Sequence, residues 1–175
     1  MLTRIGLVLV GVILFLVESE FAMFSPIEIG GQTLILVPRF LVLYLLFLAI
    51  YFDRKRAIIY GFVFGLCYDV FYINIIGLYT FLYPALCFVA AWCAKRIHPH
   101  LLFSMVLAIL LISILEFIIY EFFFMIQFTT MALQPFLLNR LVPTIVINLL
   151  FLFMLAWIFR YLINARILQR AQQHS

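Results

Sequence analysis

The stretch from Tyr60 to Leu78, YGFVFGLCYDVFYINIIGL, decides how the fold is read, because it places one carboxylate inside an apolar run. If the run is helical, Gly61, Gly65 and Asp69 recur every four residues and lie along one stripe. In a bilayer, small residues let a second helix approach closely, and a buried acid needs a hydrogen-bond donor from that helix. The pattern therefore predicts that the stripe faces protein, either as a packing groove or as a functional site.

Composition places the rest of the chain in a membrane as well. Of the 175 residues, 69% are hydrophobic and only 10% are charged, and the mean hydropathy is +1.28. Long apolar runs without period-two alternation favour helices over an outer-membrane barrel. The basic pI of about 9.1 does not indicate a nucleic-acid partner, because the longest basic run, residues 54–56, lies between apolar spans. We therefore predict an all-α integral membrane protein with a single transmembrane domain over residues 1–175.

Six apolar segments divide this domain. They cover approximately residues 4–24, 33–52, 57–73, 78–94, 101–124 and 140–163. Each has about the 17 to 25 residues that a helix needs to cross a hydrocarbon core. We predict six transmembrane helices, with the two longest connections, residues 25–32 and 125–139, on the same outer side.

The charges predict the orientation of these helices. If the N-terminus is cytoplasmic, the cytoplasmic ends hold nine basic residues and one acid, whereas the outer ends and outer half hold two basic residues and six acids. The nine cytoplasmic basic residues are Arg4, Arg54, Lys55, Arg56, Lys95, Arg96, Arg160, Arg166 and Arg170. The positive-inside rule then places both termini in the cytoplasm.

Several charges lie deep inside the predicted spans. At about 1.5 Å per residue, Arg39 and Asp69 lie roughly 20 and 18 Å from the cytoplasmic ends of neighbouring antiparallel segments. We therefore expect an Arg39–Asp69 ion pair that neutralises both groups. Glu121 is placed to pair with Arg140 at the outer interface, although solvation of both is favoured. Glu116, roughly 22 Å up its segment, has no evident partner.

Glu18 also has no evident partner. Acids in several spans are compatible with a proton relay or cation path in a transporter. The simpler interpretation, that water or a partner protein reaches the outer half, is preferred.

No pattern predicts a catalytic centre, a metal site or a cofactor. The sequence contains no Ser-His-Asp set, phosphate-binding glycine loop, HExxH or CxxC motif. Cys67, Cys87 and Cys93 lie in apolar segments and are predicted to pack in the core. His98 and His100 flank a proline and lack further ligands nearby, which favours a solvated loop.

The opening stretch also resembles the signature of the MreD family, the small membrane subunit of the bacterial rod-shape machinery. The resemblance rests on GFVFGLCYD at residues 61–69 and GLY at residues 77–79, and it extends over about residues 37–84. It departs at residues 72–76, where many family members have a turn with glycine or proline. The resemblance implies that Gly61, Gly65, Asp69 and Gly77 form a helix-packing or partner-docking motif, and it carries over no catalytic residue.

The resemblance further implies a non-enzymatic scaffold in the bacterial cytoplasmic membrane. Such a protein is expected to bind MreC, and through it to act with a SEDS glycosyltransferase, a class B transpeptidase and MreB in peptidoglycan synthesis. Membrane lipids are the other expected partner. The family fold is similar to the S component of energy-coupling-factor transporters, so the alternative is a vitamin-type binding subunit with a pocket beneath the outer loops. The charge pattern does not choose between these two functions.

Overall fold

The part of the chain that the structure describes forms six helices and one β-hairpin. A computed structural model describes residues 2–96 and 100–155, with side chains except those of residues 2–5 and 29. In chain order the elements are α1 Leu2–Ala22, β1 Ile27–Ile29, β2 Gln32–Leu34, α2 Phe40–Tyr51, α3 Arg54–Ile73, α4 Leu78–Arg96, α5 Leu101–Met125 and α6 Leu133–Leu155. Helices α3 to α6 are each long and apolar enough to cross a membrane. This mostly helical architecture is consistent with the predicted integral membrane protein.

Helix α2 is the centre of the bundle. Every residue from Phe40 to Ala49 is buried, and α2 contacts α1, α3, α4 and α5. Its sequence, FLVLYLLFLAIY, is apolar on every side, as a helix surrounded by other helices requires. Its 12 residues rise about 18 Å, whereas a hydrocarbon core is about 30 Å thick. A non-helical segment, residues 35–39, leads into it.

The predicted helix over residues 33–52 is therefore wrong at its start. Residues 32–34 form β2, and the helix begins at Phe40, just after Pro38 and Arg39. Proline lacks an N–H group and disfavours helical geometry in the residue before it. These two properties explain why the chain remains non-helical up to this point.

Two predicted connections also differ from the structure. The loop predicted at residues 25–32 contributes to an antiparallel hairpin in which Ile27 lies opposite Leu34. Gly30 and Gly31 form its turn at φ of +61° and +78°, in the left-handed region that favours glycine. The connection predicted at residues 125–139 already contains the first turns of α6, which begins at Leu133 and includes a π-helical stretch over 136–141. Residues 156–163 of the last predicted span lie outside the described residues, as do Arg160, Arg166, Arg170 and the side chain of Arg4.

Side chains explain both ends of α3. The Asp53 carboxylate accepts hydrogen bonds from the N–H groups of Lys55 and Arg56, so the helix begins at residue 54 rather than at the predicted residue 57. Its last turn, Asp69–Ile73, is π-helical and ends at Asn74, which has a left-handed φ of 58°. This turn brings Asp69 beside the start of α4.

Two glycines let α3 lie directly on the backbone of α4. A Cβ atom at Gly61 would lie 3.1 Å from the nitrogen of Pro84, and one at Gly65 would lie 2.7 Å from the carbonyl carbon of Tyr79. The stripe of small residues therefore packs against the protein's own fourth helix, and α4 covers the surface on which a partner would have to dock.

Replacing Gly65 by alanine should lower the free energy of unfolding by about 2–3 kcal/mol, because the new methyl group would press on the α4 backbone, which cannot rotate away. The same change at Gly6, where nothing lies within 4 Å, should be neutral or slightly stabilising, because alanine favours a helix. Equilibrium unfolding in detergent micelles compares the two variants. Equal effects would contradict a contribution from close packing of α3 on α4.

Candidate functional site

Most of the buried polar side chains meet around the non-helical entry to α2. The buried polar and charged residues in the described part of the chain are Glu18, Arg39, Asp69, Ser104, Glu116, Thr144 and Asn148. Four of the seven, Arg39, Glu116, Thr144 and Asn148, belong to or bond this entry, and Glu18 bonds the first turn of α2 next to it. Polar and charged residues inside an apolar membrane bundle often mark a functional site.

The entry segment, residues 35–39, is bonded by other elements in place of a helix. Its N–H groups donate to the Asn139 carbonyl (2.7 Å, from Ile35), Ser25 Oγ (2.9 Å, from Leu36), Thr144 Oγ1 (3.2 Å, from Val37) and Asn148 Oδ1 (2.7 Å, from Arg39). Pro38 has no N–H group to satisfy. Non-helical backbone in an apolar bundle is tolerated only where protein or a cavity satisfies it, and these groups from the hairpin loop and α6 do so.

Arg39 forms the centre of the charged part of the core. Its Nε donates to Glu116 Oε1 at 2.6 Å and its Nη2 to the Tyr79 hydroxyl at 3.0 Å. The guanidinium carbon lies 5.5 and 5.2 Å from the ring centroids of Tyr68 and Tyr79. The side chains of Arg39 and Glu116 are only 2% and 0% exposed. Because both charges are removed from solvent, each depends on the other for compensation.

A second arginine shares the same acid. Arg140 Nη2 lies 3.3 Å from Glu116 Oε2, and its side chain is 30% exposed. The pair considered between Glu121 and Arg140 is not formed, and Glu121 has no ion pair within 4 Å among the described residues. Glu116, without an evident partner in the sequence, therefore joins α5 to both the start of α2 and the start of α6.

The predicted Arg39–Asp69 ion pair is wrong. Asp69 accepts four hydrogen bonds: from Gly77 N (2.8 Å), Tyr79 N (2.8 Å), Thr80 N (3.0 Å) and Thr80 Oγ1 (2.6 Å). Three of the four donors are free N–H groups at the N-terminus of α4, where a negative charge is favoured by the helix dipole. The carboxylate is therefore satisfied by a helix end and needs no cation.

Glu18 holds α1 to two other helices. Its Oε2 accepts from the N–H of Leu41 in the first turn of α2 at 3.1 Å, and its Oε1 accepts from the Tyr68 hydroxyl at 3.1 Å. Its side chain is 2% exposed. No described cation lies within 4 Å of it. Glu18 is thus a buried acid held by neutral donors alone.

Sequence reasoning missed the polar partners in α6. Thr144 and Asn148 lie four residues apart and therefore on one face of α6, which is otherwise apolar at this level. Asn148 also donates from Nδ2 to the Val37 carbonyl at 3.0 Å. A threonine and an asparagine at this spacing inside an apolar run are a usable signal, because such amides and hydroxyls bond across helices in membranes.

The contacts of this arrangement hold helices together. Among the described residues, no group of three or more His, Cys, Asp and Glu side chains could hold a metal ion. The two buried carboxylates beside the α2 entry and the carboxylate at α4 each accept hydrogen bonds from the chain itself. The core therefore joins α1, α2, α5 and α6 in one geometry.

Comparison with known proteins identifies the family. The family model described as rod shape-determining protein MreD matches residues 3–166. The chain belongs to the MreD family. It is 33% identical over 146 residues to the rod shape-determining protein MreD of Bacillus subtilis (strain 168), covering 83% of this chain and 85% of that protein. It is also 33% identical over 127 residues to the cell shape-determining protein MreD of Streptococcus pneumoniae (strain ATCC BAA-255 / R6), covering 71% and 76%.

Family membership confirms the resemblance read from the opening stretch. Neither relative supports the alternative of a vitamin-type binding subunit, since both are described as shape-determining proteins. No solved structure matches the chain. The likeness of this MreD family member to the S component of energy-coupling-factor transporters therefore stays a prediction.

Proposed function

We propose that this MreD family member is a non-enzymatic scaffold of the bacterial cell-elongation machinery, which binds MreC and helps to regulate peptidoglycan synthesis and cell shape. The observation that carries the proposal is the family match over residues 3–166. Through MreC, the protein acts with a SEDS glycosyltransferase, a class B transpeptidase and MreB filaments.

The internal bonding of the charged groups also supports a scaffold. Arg39, Glu116 and Asp69 all have partners within the chain, so the bundle is held in one arrangement without a ligand. A rigid bundle suits a protein that positions a partner. Its lipid-facing sides expose large apolar residues, such as Phe81 on α4 and Val106 on α5, which are 72% and 66% exposed.

We propose six crossings with both termini in the cytoplasm. Helix α1 has 21 residues, enough for one crossing. The second crossing combines the about 18 Å of α2 with residues 35–39, which can add up to roughly 17 Å when fully extended. Together these lengths match a hydrocarbon core of about 30 Å, although α2 alone does not. The basic cytoplasmic turns provide the orientation.

The proposal predicts that MreC copurifies with the chain and crosslinks to its lipid-facing helices. A photocrosslinking residue at an exposed apolar position, such as Phe81 or Val106, should yield an adduct with MreC in cells. Only positions on one helix face should give this adduct. Depletion should cause loss of rod shape without a vitamin requirement. The measurement is immunoblotting of the adducts together with cell-shape imaging.

A matched control is a crosslinking residue at Lys55, which is exposed in the charged first turn of α3 rather than on an apolar face. It should give no MreC adduct through the membrane span. A chain that purifies without MreC and supports rod shape when MreC cannot bind it would contradict the proposal.

A further inference from the structure

A cavity of about 300 Å³ lies beside the entry to α2, and the polar core does not fill it. It is bordered by the outer half of α1, the start of the hairpin loop and the non-helical segment. The residues that carry the argument are Glu18, Ala22, Ser25, Pro38 and Tyr68. This volume is at the lower end of the range for sites that bind small organic molecules.

Glu18 is the one acid in the lining, and no cation of the described residues lies within 4 Å of its carboxylate. Its carboxylate is bonded only by the Leu41 N–H and the Tyr68 hydroxyl. The guanidinium of Arg39 bonds Glu116 through Nε at 2.6 Å and lies more than 4 Å from the Glu18 carboxylate, while its Nη1 has no hydrogen-bond partner among the described residues. Buried carboxylates are usually paired with a cation or a metal, and each oxygen of Glu18 has a lone pair beyond its one hydrogen bond.

The lining is richer in hydrogen-bond acceptors than in donors. The N–H groups of Ile35, Leu36 and Val37 already donate to Asn139, Ser25 Oγ and Thr144, and Pro38 has no N–H group. The Tyr68 hydroxyl hydrogen is directed to Glu18. A ligand that fits this lining therefore brings donors and positive charge at one end.

Apart from the carboxylate and the hydroxyls of Ser25 and Tyr68, the side chains of the lining are apolar. Ala22, Pro26, Ile35, Leu36, Val37 and Pro38 surround the one carboxylate. A bare metal ion would need more oxygen ligands than one carboxylate, and no metal-holding cluster occurs among the described residues. A single ammonium group on a short apolar body matches both parts of the wall.

From this juxtaposition we infer that the cavity beside Glu18 binds a primary ammonium group, with the carboxylate accepting its N–H bonds and the apolar wall covering the attached carbons. The same chemistry is offered by a free alkylamine and by the amino headgroup of phosphatidylethanolamine. The inference does not rest on the proposed scaffold function.

The test uses the full-length protein in detergent, with n-butylammonium as the probe and n-butanol and butyrate as controls of similar size. Butylammonium should raise the Tm saturably, by roughly 5 °C at a hundredfold excess over its Kd. Butanol and butyrate should not. In nanodiscs of phosphatidylethanolamine, a headgroup that occupies the site should abolish the butylammonium effect. In nanodiscs of phosphatidylglycerol, which has no amine, the butylammonium effect should persist whether the natural ligand is a free amine or a lipid headgroup.

Two variants assign the effect to this cavity. Glu18→Gln keeps the shape of the side chain and should weaken the apparent affinity roughly tenfold or more. Glu20→Gln, an exposed acid two residues along α1, should leave it unchanged and is the matched control. Ala22→Leu keeps the carboxylate and adds three carbons to the cavity wall, so it should weaken binding even if Glu18→Gln folds poorly.

Direct lipid analysis separates the two sources. Retention of phosphatidylethanolamine by the purified protein, reduced in Ala22→Leu, would identify the lipid headgroup, and its absence alongside butylammonium binding would identify a free amine. Equal shifts with butanol and butylammonium would overturn the inference, as would undiminished binding in Glu18→Gln or Ala22→Leu. Absence of both a saturable shift and retained lipid would also overturn it.

Discussion

Replacing Glu116 by glutamine should destabilise the protein by about 3 kcal/mol or more. The change keeps the size of the side chain but leaves Arg39 charged, 2% exposed and without its carboxylate. Removing one partner of a buried ion pair typically costs about 3–5 kcal/mol, because the other charge remains uncompensated. The second arginine on the same acid, Arg140, would lose its partner too, but its side chain is 30% exposed and partly solvated. Equilibrium unfolding in mixed detergent micelles measures the loss.

A double-mutant cycle tests whether the cost comes from the pair. Adding Arg39→Met to Glu116→Gln should recover part of the stability, with a coupling energy of about 1–3 kcal/mol. Glu121→Gln, on the same helix but without an ion pair to a described residue, should change stability by less than about 0.5 kcal/mol. Additive losses for Arg39 and Glu116, or coupling between Arg39 and Asp69 instead, would contradict the observed pairing.

The membrane class and the family could be predicted from the sequence because they depend on local, additive features. Hydropathy summed over each segment identifies apolar helices whatever they pack against. The spacing of Gly61 and Gly65 also predicts a face that admits another helix. The structure places α4 against that face.

The partner of Arg39 could not be predicted because it depends on where α2 begins. Counting depth at a helical rise through residues 33–52 placed Arg39 level with Asp69, but residues 35–39 are not helical, so the count does not apply. Glu116 is 77 residues away in sequence. Contacts of this kind depend on tertiary packing, which the periodicity of the sequence does not report.

The composition of α2 does not show whether the helix lies at the centre of the bundle or faces lipid. Its residues are apolar on every side, but so are those of a helix exposed to lipid, since both environments exclude polar groups. What distinguishes the two is the polar groups nearby: Arg39 and the non-helical backbone before the helix need buried partners, and Thr144 and Asn148 provide bonds to that entry.

Replacing Asp69 by alanine should cost about 3 kcal/mol, because three backbone N–H groups and one hydroxyl at the start of α4 would lose their acceptor together. Hydrogen bonds to a charged group contribute about 1.5–3 kcal/mol each, and they are not additive. Asp69→Asn should cost less but remain destabilising. However the amide is turned, its NH₂ group faces at least one N–H donor, since Oδ1 and Oδ2 both accept from backbone nitrogens.

The chain supplies a matched control for this prediction. Asp53 caps α3 as Asp69 caps α4, but it accepts from two N–H groups and is partly exposed, so Asp53→Ala should cost only about 1 kcal/mol. Unfolding of both variants in detergent micelles gives the comparison. If Asp69→Ala costs no more than Asp53→Ala, the carboxylate is not what holds the start of α4 against α3. A larger loss at Asp69 shows that an acid is stable in this apolar run because it binds the positive end of a neighbouring helix.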